Sequence, residues 1–335
     1  MKSFEIQEFG IDSLQFVERE RPQPGPGEVL VRMTAASLNY RDLMMVKGSY
    51  NPKLKAPLAP LSDGAGVVEQ VGAGVSRFRK GDRVAACFFQ TWFDGPPTRE
   101  KDFSALGGAI DGVLREFAVF SEQGLVVIPD SLTDEQAATL PCAAVTAWNA
   151  LFESANAIPG ETVLLQGTGG VSIFALQFAA AAGLRTIITS SSDEKIERAK
   201  KLGAQETINY KTTPNWEEEA LNLTNGKGVD HVVEVGGSDT LPRSLKAIRT
   251  YGTISVIGVL SGGTSTVSPV PIFRKSARVQ GIYVGSRAMF ERMIRAIEVR
   301  GIQPAVDRTF AWTEFKDALR YMESQQHFGK ICLKF

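Results

Sequence analysis

Histidine and cysteine are scarce in this chain of 335 residues: there are two histidines, His231 and His327, and three cysteines, Cys87, Cys142 and Cys332. An odd number of widely spaced cysteines cannot form a paired framework, so no disulfide scaffold is expected. An excess of one charge is missing too. Lys plus Arg equals Asp plus Glu at 37 each, a formal net charge of zero. With no run of like charge, neither nucleic acid nor an anionic membrane surface is expected as a partner. No apolar stretch approaches the ~18 residues that span a bilayer. The opening segment, Met1 to Phe9, alternates charged and apolar residues and contains Glu5 and Glu8, unlike a signal peptide; the cytoplasm is the expected compartment. Internal repeats and low-complexity segments are absent.

What the chain has is apolar content. Hydrophobic residues make up 43% of it, enough for two buried cores, and single domains usually hold ~100–200 residues. Residues 1 to 128 read as short strands broken by Gly and Pro, such as Glu28 to Met33, Gly66 to Val71 and Gly81 to Ala85. Turn-rich joints such as Pro22 to Gly27 and Gly72 to Gly74 separate them, which predicts an irregular β-rich domain. Residues 129 to 272 have another texture. Apolar strands (Val163 to Gln166, Thr186 to Thr189, Thr207 to Ile208, His231 to Val235, Thr253 to Ile257) alternate with helical segments, including Asp193 to Leu202 and Trp216 to Leu223. That alternation predicts an α/β fold with a doubly wound parallel sheet covered on both faces. Residues 273 to 335 are assigned to the first domain, because Phe328 to Leu333 reads as a strand that returns to it.

Gly167-Thr168-Gly169-Gly170-Val171-Ser172 follows a strand and opens a helix. In that setting glycines let the backbone turn sharply and approach a pyrophosphate, which the helix N-terminus receives with free N–H groups and partial positive charge. Gly167, Gly169, Gly170 and Val171 are therefore expected to bind a dinucleotide. Ser172 stands in the third glycine position, where it is small enough for helix–strand packing. At the end of the second strand an NAD enzyme usually carries Asp or Glu for the ribose 2′-hydroxyl. Here Ser190-Ser191-Ser192 stands there, with Lys195 and Arg198 on the next helix. Hydroxyls and cations suit a 2′-phosphate, so NADPH is favoured over NADH. The same residues also fit a plainer role: Ser191 and Glu194 have capping-box spacing, and the two cations could be a solvated helix face. Asp193 is near enough to serve as an imperfect ribose ligand. Gly258 and Val259, after the strand Ser255 to Ile257, occupy a strand end of the kind that faces ligand in such sheets.

From Gly25-Pro26-Gly27-Glu28-Val29-Leu30-Val31 through Ala65-Gly66-Val67-Val68 and Gly81-Asp82-Arg83-Val84, the chain resembles medium-chain dehydrogenases/reductases. It is most similar to their quinone oxidoreductases and polyketide enoyl reductases, the latter through Leu38-Asn39-Tyr40-Arg41-Asp42. The resemblance implies a GroES-like catalytic domain, a Rossmann domain and a cleft between them. It also implies a homodimer paired along the last Rossmann strand, Val279 to Tyr283. Alcohol dehydrogenases of this superfamily bind a catalytic zinc with Cys, His and Cys. At those positions this chain has Asn39, Ser62 and Cys142, and one thiolate cannot build a three-ligand site. The stretch Phe88 to Gly112 lacks the four cysteines of the structural zinc lobe. Both zincs are expected to be absent.

Without a Lewis acid, hydride transfer to an unactivated carbonyl loses its main stabiliser. Conjugate reduction needs only hydrogen-bond donors for the resulting enolate or phenolate. The expected activity is thus NADPH-dependent reduction of an enone, enoyl thioester or quinone. A zinc-free alcohol or aldehyde dehydrogenase is a second possibility, and an NADPH-binding protein without useful catalysis is a third. By resemblance, Thr146 lies beside the nicotinamide and Tyr210 near the adenosine phosphate, although Tyr210 would serve equally as a surface aromatic. Tyr50 resembles the proton-donating tyrosine of enoyl thioester reductases, and Asn39 and Tyr40 lie in the loop that replaces the zinc loop. Phe89, Trp92 and Phe93 fall where the family lines its substrate cleft, or cover a core edge. Arg41 and Asp42 read as an ion pair or loop anchor, and Cys142 as a buried relic.

Overall fold

The expected change of texture is visible in the computed structural model, which describes residues 1–260 and 266–335. Two units are present: residues 1–145 with 285–335, and residues 146–284. The strands, in chain order, are β1 (Lys2–Glu5), β2 (Gln15–Glu18), β3 (Glu28–Ser37), β4 (Asp63–Val71), β5 (Arg83–Ala86), β6 (Phe117–Ser121) and β7 (Leu125–Val127) in the first unit. The second unit holds β8 (Thr162–Leu165), β9 (Arg185–Ser190), β10 (Glu206–Asn209), β11 (Val229–Glu234), β12 (Ile248–Val256) and β13 (Arg278–Gly281). The chain then returns to the first unit for β14 (Val306–Ala311) and β15 (Lys330–Lys334).

In the first unit one sheet runs β14-β15-β3-β4-β5-β7, with β6 also paired to β3. β3 is its spine. With neighbours on both edges, its sequence EVLVRMTAAS is buried at most positions, so the strand reads apolar without clean alternation. β15 pairs antiparallel with β3 in the register Cys332 to Ser37, and β4 pairs with β3 so that Asp63 faces Ser37. The C-terminal end of β3, the start of β4 and the start of β15 therefore meet. Val29, Val31, Ile331 and Leu333 belong to the core beneath them.

All six strands of the second unit are parallel, in the order β10-β9-β8-β11-β12-β13. Numbered along the chain this is 3-2-1-4-5-6, the Rossmann order. Right-handed crossovers that step first one way and then the other place helices on both faces. The reversal lies between β8 and β11, which pair through Val163 and His231. Leu164, Ile187, Ile208, Val232 and Ile254, one from each of five strands, are buried in one apolar cluster.

The unit boundaries differ from the expected 128/129 and 272/273. The helix Asp134–Ala138 packs on β3, β4 and β15, so it stays with the first unit although it follows the change in texture. At the other end, β13 extends the parallel sheet beside β12, so the second unit runs on to Val284.

Candidate functional site

The second unit supplies the candidate dinucleotide site. β8 ends at Leu165, and the helix Gly170–Ala182 begins five residues later. Gly167 has φ +70°, the left-handed region in which a side chain is strained. Gly169 is the N-cap, with φ −79° and ψ −179°, a shape open to any residue. A Cβ added to Gly169 would meet no protein atom within 4 Å. Neither backbone strain nor packing requires glycine there. The bare backbone above the helix N-terminus fits the close approach of a phosphate, and so fits a dinucleotide. Ser172 is buried and donates its hydroxyl to the Gln166 carbonyl at 2.5 Å, so the serine in the third glycine position is satisfied.

Two residues expected only as parts of strands, Gln166 and Glu234, hold this loop. Gln166 donates from Nε2 to Glu234 Oε2 at 2.7 Å and accepts at Oε1 from the Val235 and Gly236 N–H groups at 3.3 Å. Glu234 is fully buried, and its Oε1 accepts from Gly236 and Gly237 N–H at 2.9 and 3.1 Å. These bonds tie the loop after β8 to the loop after β11 across the point where strand order reverses. A lone acid ending the apolar run His231 to Val235 was the available signal.

At the end of β9, Ser190 is buried and Ser191 exposed. The N-cap of the helix Asp193–Lys201 is Ser192, whose Oγ accepts the Lys195 N–H at 3.4 Å, so the capping role considered for Ser191 belongs to its neighbour. Lys195 and Arg198 lie half-buried on this helix. Asp193 accepts from Asn209 Nδ2 at 2.6 Å, so its carboxylate already has a partner. Tyr210 is 38% exposed and donates its N–H to the Ser190 carbonyl at 3.0 Å. Gly258 and Val259 follow β12 at its carboxyl end, and Gly258 lies so close to the Val235 carbonyl that a Cβ would approach it to 2.3 Å. Thr146, the first residue of this unit, is buried in the helix Val145–Trp148.

In the first unit, Asn39, Ser62 and Cys142 are brought together by Asp63 and Lys330. Asn39 Nδ2 donates to Ser62 Oγ at 3.4 Å, and Ser62 Oγ donates to Asp63 Oδ1 at 2.9 Å. The Cys142 N–H reaches Asp63 Oδ2 at 3.3 Å. The Lys330 ammonium donates to Asn39 Oδ1 and to the Leu38 carbonyl, both at 2.6 Å, and stands 3.6 Å from Asp63 Oδ2. Asp63 is 0% exposed and Lys330 3%. Desolvation raises the Asp63 pKa above its ordinary value, with Lys330 opposing the shift. Desolvation and the nearby Asp63 charge likewise push the Cys142 thiol strongly upward, which makes it a poor nucleophile.

Asn39 starts the helix Tyr40–Val46, where Asp42 Oδ2 accepts the Asn39 N–H at 2.8 Å. Burial pushes Asp42 up to about 6, against the lowering effect of Arg41. Arg41 and Asp42 each also anchor the loop: Arg41 Nη1 donates to the Leu106 carbonyl at 2.9 Å. Its guanidinium lies 4.8 Å from the Phe88 ring centre and 5.4 Å from that of Tyr50. Tyr40 and Tyr50 are 38% and 42% exposed. Of the three aromatics expected to line a cleft, Phe89 and Trp92 are 2% exposed and pack against each other at 5.6 Å. Only Phe93, 39% exposed, keeps surface to offer.

Residues 25–130 match the family model described as alcohol dehydrogenase GroES-like domain, and residues 170–299 the one described as zinc-binding dehydrogenase. A zinc-type alcohol dehydrogenase-like protein of Schizosaccharomyces pombe is 51% identical over 332 residues, covering 97% of this chain and 96% of its own. A quinone oxidoreductase of Pseudomonas aeruginosa is 32% identical over 334 residues, covering 97% of this chain and 96% of its own. The crystal structure of an NAD-dependent alcohol dehydrogenase superposes with a TM-score of 0.92 at 33% identity over the full length of both chains. With a GroES-like unit, a Rossmann sheet bearing a glycine-rich loop and relatives matched from end to end, this chain belongs to the medium-chain dehydrogenase/reductase superfamily of NAD(P)H-dependent oxidoreductases.

Proposed function

We propose that this chain is an NADPH-dependent reductase that delivers hydride to an activated alkene or a quinone without a metal ion. The observation that carries the reading is the cluster at Asn39. The positions where the superfamily's alcohol dehydrogenases hold catalytic zinc carry an amide, a hydroxyl and a single thiol, with a lysine ammonium bonded to the amide oxygen at 2.6 Å. Zinc binds thiolate, neutral imidazole or carboxylate. This donor set does not fit it, and a second cation would repel Lys330.

The residues fit a reduced dinucleotide. Gly167, Gly169, Gly170 and Val171 would receive the pyrophosphate, and Ser190, Ser191, Lys195 and Arg198 the 2′-phosphate. Tyr210 would serve the adenosine end, and Thr146, Gly258 and Val259 the nicotinamide end. When bound, the cofactor supplies the hydride. The chain's task is then to stabilise oxyanion charge on the acceptor and return a proton to carbon. Asn39 has an amide N–H to offer the oxygen, and the exposed phenols Tyr50 and Tyr40 are proton donors of suitable chemistry. The substrate is a small molecule; Phe93 favours a flat or aromatic one. The relative named quinone oxidoreductase supports the acceptor class.

A second reading, a zinc-free alcohol or aldehyde dehydrogenase, draws on the names of the other relatives. NADPH oxidation with an enone, a quinone and a saturated aldehyde of matched size separates the two. Turnover of the enone or quinone at least about tenfold faster than the aldehyde supports the proposal, whereas preference for the aldehyde defeats it. The reductase is further proposed to be a cytoplasmic homodimer. Among the described residues β13 pairs on one edge only, and Val279 and Tyr283 are 37% and 41% exposed, which suits pairing with a second copy.

A further inference from the structure

Glu234 is fully buried and accepts hydrogen bonds on both oxygens, yet no role assigned so far to the cofactor or the acceptor uses it. Its Oε1 accepts from the Gly236 and Gly237 N–H groups at 2.9 and 3.1 Å and from the Thr240 hydroxyl at 2.5 Å. Its Oε2 accepts from Gln166 Nε2 at 2.7 Å and from the Ser244 hydroxyl at 2.5 Å. The Gln166 NH2 group also donates to Ser244 Oγ at 2.8 Å. An acid in such a place persists only if it is fully engaged. Here no polar side-chain atom of Gln166, Glu234 or Ser244 is left without a partner.

The network joins the two loops that flank the reversal of strand order, where a doubly wound sheet receives its ligand. Gln166 immediately precedes Gly167, and its main-chain carbonyl takes the Ser172 hydroxyl at 2.5 Å. The orientation of its side-chain amide is fixed. Oε1 faces the Val235 and Gly236 N–H groups, which can only donate, so the NH2 end must face Glu234. A carboxylate accepts at both oxygens, which is what the donors on the two sides of Glu234 require. The turn after β11 is closed on the same acid. A Cβ at Gly236 would meet Thr240 Oγ1 at 2.2 Å, so the backbone lies directly on the hydroxyl that Glu234 receives.

We propose that Glu234 is a positioning residue for the cofactor pyrophosphate: through Gln166 it holds the Gly167–Val171 backbone at the spacing from the loop after β11 that the dinucleotide needs. This rests on the dinucleotide reading of that loop, and extends it by naming the buried acid that sets the loop's shape. The network also makes a demand on polarity. If the two side chains are exchanged, the carboxylate at position 166 still accepts from Val235 and Gly236 N–H. The amide oxygen at position 234 still accepts from Gly236, Gly237 and Thr240. Its NH2 group then donates to the new carboxylate and to Ser244, whose hydroxyl turns to the same carboxylate. Every bond is kept, and only the direction of those at the shared end reverses. Either exchange alone sets like against like: Glu234→Gln brings two NH2 groups face to face, and Gln166→Glu two carboxylates.

The test titrates NADPH by fluorescence into the full chain carrying Glu234→Gln, Gln166→Glu or both, at a temperature where a thermal melt shows each variant folded. Adenosine 2′-phosphate, which lacks the pyrophosphate, is titrated in competition as the control. Each single exchange should raise the NADPH Kd about 10- to 100-fold, and the double exchange should bring it back to within about fivefold of wild type. The Kd of adenosine 2′-phosphate should stay within about threefold throughout, which a general loosening of the fold would not allow. Should a single exchange not fold, Thr240→Val keeps the shape and removes one donor to Glu234; its NADPH Kd should rise at least about threefold, with the control unchanged. Three results overturn the proposal: folded variants that bind NADPH as wild type does, an equal loss of adenosine 2′-phosphate, or a double exchange that recovers no binding. A wild type that binds no dinucleotide overturns the reading of the loop as well; a binding wild type with unaffected variants overturns this inference alone.

Discussion

Replacing Gly169 by alanine separates what the fold needs from what the proposed cofactor needs. The residue has φ −79° and ψ −179°, which alanine adopts without strain, and its new Cβ would meet no protein atom within 4 Å. Alanine is a poorer N-cap than glycine by up to about 1 kcal/mol. The narrower freedom of alanine in the unfolded chain returns about 0.4–1 kcal/mol. Unfolding free energy should thus move by less than about 1 kcal/mol, a shift of a few degrees in Tm. The cofactor should be affected far more. Its pyrophosphate would have to sit where the methyl group now projects, and losing one charge-assisted hydrogen bond costs about 1.5–3 kcal/mol, or ten- to a hundredfold in Kd. Fluorescence titration with NADPH, run beside a thermal melt of the same sample, reads both quantities. A Kd within about twofold of wild type would refute the assignment of this loop. So would a Tm lower by more than about 10 °C, because the residue would then prove structural.

Three further outcomes are expected. Lys195→Ala or Arg198→Ala should weaken NADPH binding about ten- to a hundredfold and NADH binding far less; equal losses in parallel titrations would remove both residues from the 2′-phosphate. Tyr50→Phe should lower turnover with the best acceptor at least about tenfold, with NADPH affinity unchanged, and full retention of turnover would pass the donor role to Tyr40 or a bound water. The third outcome concerns pH. Because burial raises Asp42 to about 6, its contribution to stability is fully present below about pH 4 and is lost as pH rises through 6. The stability of Asp42→Asn relative to wild type should therefore improve by about 2–3 kcal/mol between pH 4 and pH 7. Denaturant unfolding across that range should show the trend, and a pH-independent difference would mean that Asp42 is not held neutral by its burial.

How legible each part was depended on how local its determinants are. The dinucleotide loop is written in consecutive residues, because turn, helix start and phosphate approach all fall between Gly167 and Ser172. The parallel sheet was equally readable, since strands covered on both faces are apolar throughout. Asn39 and Ser62 could be found from their motifs. Lys330 could not: its bond to Asn39 spans 291 residues, and its inward direction follows from the pairing of β15 with β3. Glu234 was hidden for a similar reason, because its satisfaction depends on Gln166, 68 positions earlier. The unit boundaries shifted because membership is set by packing. The helix Asp134–Ala138 follows the change in sequence texture but lies against β3 and β4. The choice between lining a cleft and covering a core edge stayed open for the aromatics, because hydrophobicity alone does not separate Phe89 and Trp92, which are buried, from Phe93, which is not.

The central claim, reduction without a metal ion, is tested most directly by metal content and turnover measured on one sample. The protein is dialysed against a strong chelator, its zinc is counted by elemental analysis, and NADPH oxidation with the best enone or quinone is recorded before and after. The account predicts far less than one zinc per chain and an unchanged rate. About one zinc per chain, whose removal abolishes turnover and whose return restores it, would contradict the account at the cluster of Asn39, Ser62 and Cys142.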